Sequence, residues 1–356
     1  MKKLILLGIF TGITVSSVLA QQKEYKEHYP NGILKVDAFV DNNGKPSGKF
    51  KSFNKQGGIS VEAYYVNGKL NGEMKQYDAL GGIILTGNYS VGTENGKWTS
   101  YGSIVGYPKG TKFIELDVAM AKITSFKKYH ANGKIWIRGN FSPTNINTDI
   151  IKALRTPDIE NTQKKQGKYE EFNQNGQLKY TVNFSDGKIS GESKSFYETG
   201  EVYEVCKYDN NGYRIATTSY HIDGKLKSKM YYQNGKPQGD FIAYFPYGEI
   251  SDKGKYINGD KDGYWLEEYG VGNYQMGKKT GFWKKYAQRR DEKEKLKVSE
   301  GNYMNGLKNG QWKEFNYAAY QLGKWAIETG VYNNGKRTGL WKYTHPDGTP
   351  VETKQY

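Results

Sequence analysis

The side chains able to do chemistry are few, and their positions speak against catalysis. Of the four histidines, His130, His221 and His345 each stand three residues before a turn glycine. Tyr29 holds that place in the first unit, with His28 beside it, so the imidazoles replace an aromatic ring. No two histidines have metal-binding spacing. Cys206 is the single cysteine, so no intramolecular disulfide forms. Glu204-Val-Cys206-Lys-Tyr208 reads as a strand with a core thiol. Gly272-Asn-Tyr-Gln-Met-Gly277-Lys278-Lys279 brushes against a phosphate loop, but the residue after Lys278 is Lys279 rather than Ser or Thr, and no helix pattern comes after. Asp262, Glu267 and Glu268 are not marked out as an acid–base pair. No metal, cofactor or catalytic residue is expected. The aromatic residues are the stronger candidates. Trp265, Trp283, Trp312 and Trp341 share one slot two residues after a glycine, and Trp98 sits in the same slot of an earlier unit. Such a series is either a structural ladder or a surface that stacks sugar rings or anchors a protein partner. Trp136 and Trp325 lie outside that series.

These residues ride on an internal repeat, Tyr-x-x-Gly-x-x-x-Gly-x-Trp. Its glycine pairs are Gly68 and Gly72, Gly235 and Gly239, Gly259 and Gly263, Gly277 and Gly281, Gly306 and Gly310, and Gly335 and Gly339. Further pairs stand at Gly44/Gly48, Gly92/Gly96 and Gly187/Gly191. The first glycine usually follows Asn or Asp, the strongest short signal for a tight hairpin. The second lies four residues on and suggests a bulge or another special dihedral. A second set of turns falls between these frames, at Gly32, Gly133, Gly176, Gly200, Gly224 and Gly348. Each unit therefore reads as two strands and two turns. In a plain strand, residues three apart face opposite ways, so Trp283 and Tyr286 decorate both faces unless a bulge intervenes.

The frame Tyr-x-Asn-Gly-Lys-x-x-Gly-x-Trp-x-x-Tyr, clearest at Tyr232 to Tyr244 and Tyr274 to Tyr286, resembles the MORN repeat. The likeness is to the variant common in bacterial exported and antitoxin-like proteins, and it covers most of residues 25–348. It implies an all-β fold, an elongated antiparallel meander of hairpins in a single twisted layer. It says little of function beyond a link to membrane lipid binding. One departure is that Gly-x-Trp or Gly-x-Phe often replaces the family's Gly-x-Gly after the turn.

In chain order, residues 1–20 read as a signal peptide: Lys2 and Lys3, an apolar stretch to Phe10, then Val18-Leu19-Ala20. Residues 21–142 form a first repeat block, within which 103–125 depart from the pattern as a longer loop and a strand. Residues 143–166 form an insertion and linker. A short helix is expected there near 148–155, capped by Asn147-Thr148-Asp149 and stopped by Pro157. Residues 167–356 form the second block. Within it, Gln288 to Lys297 is a mixed-charge run and Tyr317 to Trp325 extends a hairpin. About 18 strands at roughly 4.8 Å each make a sheet on the order of 90 Å long.

The net charge is +15, and only 36% of the residues are hydrophobic while 31 are Tyr. That suits a thin sheet whose Tyr and Lys stems cover its own faces. The reading is an exported, non-enzymatic scaffold, periplasmic, cell-surface or secreted, with no transmembrane segment after signal cleavage. Its partner is a protein or a second copy, captured by sheet edges and exposed rings. A carbohydrate, cell-envelope polymer or anionic lipid is the alternative, favoured by Lys278, Lys279, Lys284, Lys285, Arg289 and Arg290. An antitoxin or immunity role outside the cytoplasm is the third. Nucleic acid fits the charge but not export.

Overall fold

A computed structural model describes residues 22–102, 106–142, 149–288, 295–324 and 326–356. Residues 1–20, read above as a signal peptide, and Trp325, Arg289, Arg290 and Asn147-Thr148 lie outside the described residues. The chain is all-β, and within each unit the strands pair antiparallel with strands close by in sequence. Among the described residues there are 29 strands rather than about 18. Strand pieces such as Lys69–Leu70 are split off by bulges, and hairpins also form without a glycine pair. No described helix is long and apolar enough to cross a membrane.

Two units are distinguishable by their contacts: residues 1–133 with 143–162, and residues 134–142 with 163–356. In the first unit, the stretch expected to be a loop and one strand is a hairpin, Lys112–Ala119 with Lys122–Tyr129. Its turn, Met120-Ala121, has φ of 46° and 60°. No glycine or asparagine marks it, which is why the pattern missed it. The expected helix is there, shorter, at Ile150–Ala153, and the Asp149 side chain accepts from Lys152 N–H. A 3-10 turn, Ile159–Asn161, follows. Ile150, Leu154 and Ile159 are buried. The buried Lys128 ammonium donates 3.0 Å hydrogen bonds to both carboxylate oxygens of Glu160.

In the second unit strands run from Ile135–Phe141 to Pro350–Gln355. The segment at 165–166 is strand, not linker. The hairpin extension expected at Tyr317 is instead a helix, Tyr317–Gln321, capped by the Asn316 side chain. Asparagine competes well as an N-cap, and Ala318-Ala319 has the highest helix propensity.

The turns that open the second unit's paired-glycine frames are type I′, which needs positive φ at both central residues. Asn305 and Gly306 show 51° and 85°. The turn glycine also stitches one hairpin to an earlier one: Gly306 N–H donates to Lys279 O at 2.9 Å and Gly335 N–H to Lys308 O at 2.8 Å. The second glycine opens a bulge. Asn273 pairs with Thr280 but Val271 pairs with Lys284, so Gly281, Phe282 and Trp283 together stand opposite Gly272. A further register shift falls between Lys285 and Tyr286. Strict alternation is thus broken on both sides of Trp283.

Candidate functional site

Two faces of the second unit differ in how their side chains are satisfied. On one, Tyr and Trp alternate without a gap. Ring centroids are 5.0 Å apart for Tyr256–Trp265, 6.2 Å for Trp265–Tyr274 and 5.1 Å for Tyr274–Trp283. The file continues through Tyr303, Trp312, Tyr332 and Trp341 to Tyr356, every pair edge-to-face at 71–87°. Such pairs add about 0.5–1.5 kcal/mol each beyond burial. The indole N–H groups of Trp265, Trp283 and Trp312 donate to Lys255 O, Asn273 O and Asn302 O.

All five tryptophans of the expected series are core. Trp98, Trp265, Trp283 and Trp341 are 0% exposed and Trp312 is 2%. The indoles meet protein on both sides, so in this arrangement they present no ring to a ligand. What makes room for them is a third glycine, two residues before each Tyr. A side chain at Gly87, Gly254, Gly272, Gly301 or Gly330 would collide with the ring of Trp98, Trp265, Trp283, Trp312 or Trp341.

A cation covers each ring of the last four units. Lys261 lies 4.2 Å from the Trp265 ring centre, Lys279 3.7 Å from Trp283, Lys308 4.6 Å from Trp312 and Arg337 4.0 Å from Trp341. Carboxylates close the set. Glu267 accepts from Lys261 at 2.6 Å, from the Tyr274 hydroxyl at 2.7 Å and from Lys279 at 3.2 Å. Glu314 accepts from Lys308, from the Tyr332 hydroxyl at 3.0 Å and from Arg337 at 3.1 Å. Arg337 also bonds Glu328. Burial alone would raise the Glu267 and Glu314 carboxyls, but these donors outweigh it and hold both below the ordinary value. Burial and the Glu267 charge push the Tyr274 phenol up. On this face the covering cations and the carboxylates are paired with one another, while the buried Trp341 indole N–H has no hydrogen-bond partner among the described residues.

The sequence reading missed both parts of this arrangement. The signals were present: Gly-x-Tyr before the turn, and Gly-x-Lys/Arg-x-Gly-x-Trp after it, at Gly259 to Trp265, Gly277 to Trp283, Gly306 to Trp312 and Gly335 to Trp341.

The opposite face is open. Tyr264 and Phe282, each one residue before a buried Trp, are 63% and 50% exposed, and Leu340 is 53%. Ile242, Lys253, Lys255, Ile257, Tyr264 and Leu266 are among the residues bounding a groove of about 620 Å³. Of the basic residues singled out beforehand, Lys278 and Lys284 are exposed, while Lys279 is committed to Trp283 and Glu267.

The remaining candidates serve the fold. The His221 ring Nε2 lies 2.9 Å from Tyr244 O, as the Tyr29 and Tyr197 hydroxyls donate to Phe53 O and Tyr220 O at 2.8 Å. Cys206 is buried 3.3 Å from Glu204 Oε1, and burial pushes its thiol up, away from the nucleophilic thiolate. Among the described residues no cluster of three His, Cys, Asp or Glu could hold a metal ion.

The model of the MORN repeat variant matches residues 125–142, 165–186 and 189–210. No curated protein matches the chain. Among solved structures, similarity reaches the GtfA/B complex bound to UDP and GlcNAc at 12% identity and a TM-score of 0.15, over 43% of this chain and 25% of that one. For the TcdB2-TccC3-Cdc42 complex the identity is 11% and the TM-score 0.19, over 93% and 22%. For the Photorhabdus luminescens Tc holotoxin pore they are 12% and 0.18, over 93% and 17%. The chain thus spans a quarter or less of each of these chains. TM-scores this low carry no argument. The repeat itself does, in its turns, its bulges and its matched segments: the chain contains repeats of the MORN variant family.

Proposed function

We propose that the chain is an exported, non-enzymatic scaffold that holds an extended partner against the open face of its second unit. The observation behind this is the inequality of the two faces. One satisfies its own cations, carboxylates and phenols within the ladder. The other leaves Tyr264, Phe282 and Leu340 half or more exposed beside a groove. A groove with exposed rings beside it is where a partner would be expected to dock. Export rests on the Lys2 to Ala20 pattern.

The test has two arms. The full chain, expressed in a bacterium with a tag at its end, should be recovered outside the cytoplasm with Gln21 as its first residue. Purified wild-type chain and a Tyr264→Ser/Phe282→Ser variant are then compared for capture of a partner from an envelope extract. Both should melt alike, since the changed rings are exposed, and the variant should lose capture. Undiminished capture by the variant would remove the open face from the reading, and substrate turnover by the wild type would remove the scaffold.

A further inference from the structure

The register row that follows the buried tryptophans differs in character between the two units. In the second unit, direct cross-strand partners run Lys194, Val205, Thr218, Lys229, Ile242 and Lys253. The row continues through Leu266, Val271, Lys284, Glu300, Lys313, Thr329 and Lys342. Directly opposed residues share a face, so six lysines stand in single file. They are separated by two or three strands, on the order of 10–14 Å. All six are exposed. Among the described residues none of Lys194, Lys253, Lys284, Lys313 and Lys342 is ion-paired. The row's carboxylate in this stretch, Glu300, is paired 3.0 Å from Lys297.

The corresponding row of the first unit is built the other way. It reads Lys26, Asp37, Lys51, Glu62 and Lys75, then Thr86, Thr99, Glu115 and Lys127. Acids alternate with bases, and they pair: Lys51–Glu62 at 2.9 Å and Lys127–Glu115 at 2.7 Å. Lysine at this register position therefore does not by itself require open charge. The first unit neutralises it and the second does not.

From this contrast we infer that the second unit binds a linear anionic polysaccharide along the row from Lys194 to Lys342. The row crosses the groove at Ile242, Lys253 and Leu266. Tyr231, Tyr264 and Phe282 lie two residues along their strands from Lys229, Leu266 and Lys284, on the same face, and are 40%, 63% and 50% exposed. Flat rings next to spaced ammonium groups match a chain of sugar rings bearing carboxylates: rings stack on the aromatics and charges meet the lysines. The single file suits a linear chain better than a protein patch, which would need acidic groups aligned over many strands. This inference rests on the reading that the open face binds a partner.

The test uses the full chain and polygalacturonate as the probe, with neutral dextran as reference. Lys253→Gln/Lys284→Gln/Lys313→Gln removes three charges from the row. Lys188→Gln/Lys236→Gln/Lys336→Gln, the turn variant, removes three exposed lysines that each begin a strand just after a hairpin turn. Polygalacturonate should bind and dextran should not, and added salt should weaken binding. The row variant should bind about tenfold more weakly, and the turn variant within about twofold of wild type, since an exposed contact is worth roughly half a kcal/mol. Both variants should melt as wild type. Equal losses in the two variants, equal binding of dextran, or no binding of polygalacturonate would overturn the inference. So would row-dependent binding to phosphatidylglycerol vesicles without binding to the polysaccharide. If polygalacturonate fails while Tyr264→Ser/Phe282→Ser still abolishes partner capture, the polysaccharide falls and the scaffold stands. If both fail, the open face is not a binding surface.

Discussion

Gly301 and Trp312 are direct partners on adjacent strands, and the indole fills the space that a side chain at 301 would need. Gly301→Ala should therefore destabilise the second unit by about 1–3 kcal/mol through overpacking, although alanine is otherwise tolerated better than glycine in a strand. The midpoint of urea unfolding measures it. Gly310→Ala, whose added carbon meets nothing within 4 Å but whose φ is 72°, should be destabilising for a different reason, backbone strain.

Removing a ring tests the ladder from the other side. Trp312→Ala should cost about 3–5 kcal/mol, the range for a fully buried aromatic. Tyr264→Ala, on the open face, should change stability by less than about 0.5 kcal/mol. Thermal or urea unfolding of the two variants side by side gives the comparison.

Arg337 covers Trp341 and bonds both Glu314 and Glu328. Arg337→Gln should lower stability by about 1.5–3 kcal/mol, because Glu328 is left almost buried beside a neutral partner. Arg337→Lys should recover only part, since one ammonium cannot serve two carboxylates and a ring in the same geometry.

Acid should weaken both units. Burial alone would raise the Glu115 carboxyl, but Lys112 and Lys127 pull it down to about 2. Glu267 and Glu314 are lowered as well. The unfolded chain takes up these protons at ordinary carboxylate values, so the stabilisation is full above that range. It is lost as pH falls toward about 2. Phenols act at the other end. Burial and a bond to Glu62 push Tyr77 up to about 12, and burial with the Tyr356 hydroxyl raises Tyr343 to about 12. Their contribution is whole below the ordinary phenol value and disappears as pH rises through 12. Urea midpoints across the acid and alkaline ranges should fall at both ends, and Glu115→Gln should flatten the acid limb.

The Met276 turn residue has φ of 47° and is 75% exposed. Asparagine fills that place in four other turns of the second unit, Asn234, Asn258, Asn305 and Asn334. Met276→Asn should stabilise by about 0.5–1 kcal/mol by relieving left-handed strain, read as a higher melting temperature.

Much of the fold was legible because turn chemistry is local. Asn305-Gly306 announces its own dihedrals, and so the hairpins could be read residue by residue. Met120-Ala121 could not, because nothing in those side chains asks for positive φ and the surrounding strands impose it. The Tyr317 helix was hidden for a different reason: five residues are too few to show a helical period, so only the Asn316 cap and the alanine pair mark it. At the site, aromatic spacing located the tryptophans but not their burial. Burial depends on a residue that is absent, the missing side chain at Gly272 or Gly301 on the facing strand. The lysine row was invisible for the same cause. Lys253 and Lys313 are far apart in sequence, and only strand register brings them into one line.

The alternating file from Tyr256 to Tyr356 gives the second unit an optical signature. Indoles kept from water and separated by single phenols should emit at short wavelength and pass excitation from ring to ring, so their light should be strongly depolarised. Loss of a single hairpin would interrupt that transfer along the whole file. The protein carries its own reporter of local opening, readable without any label.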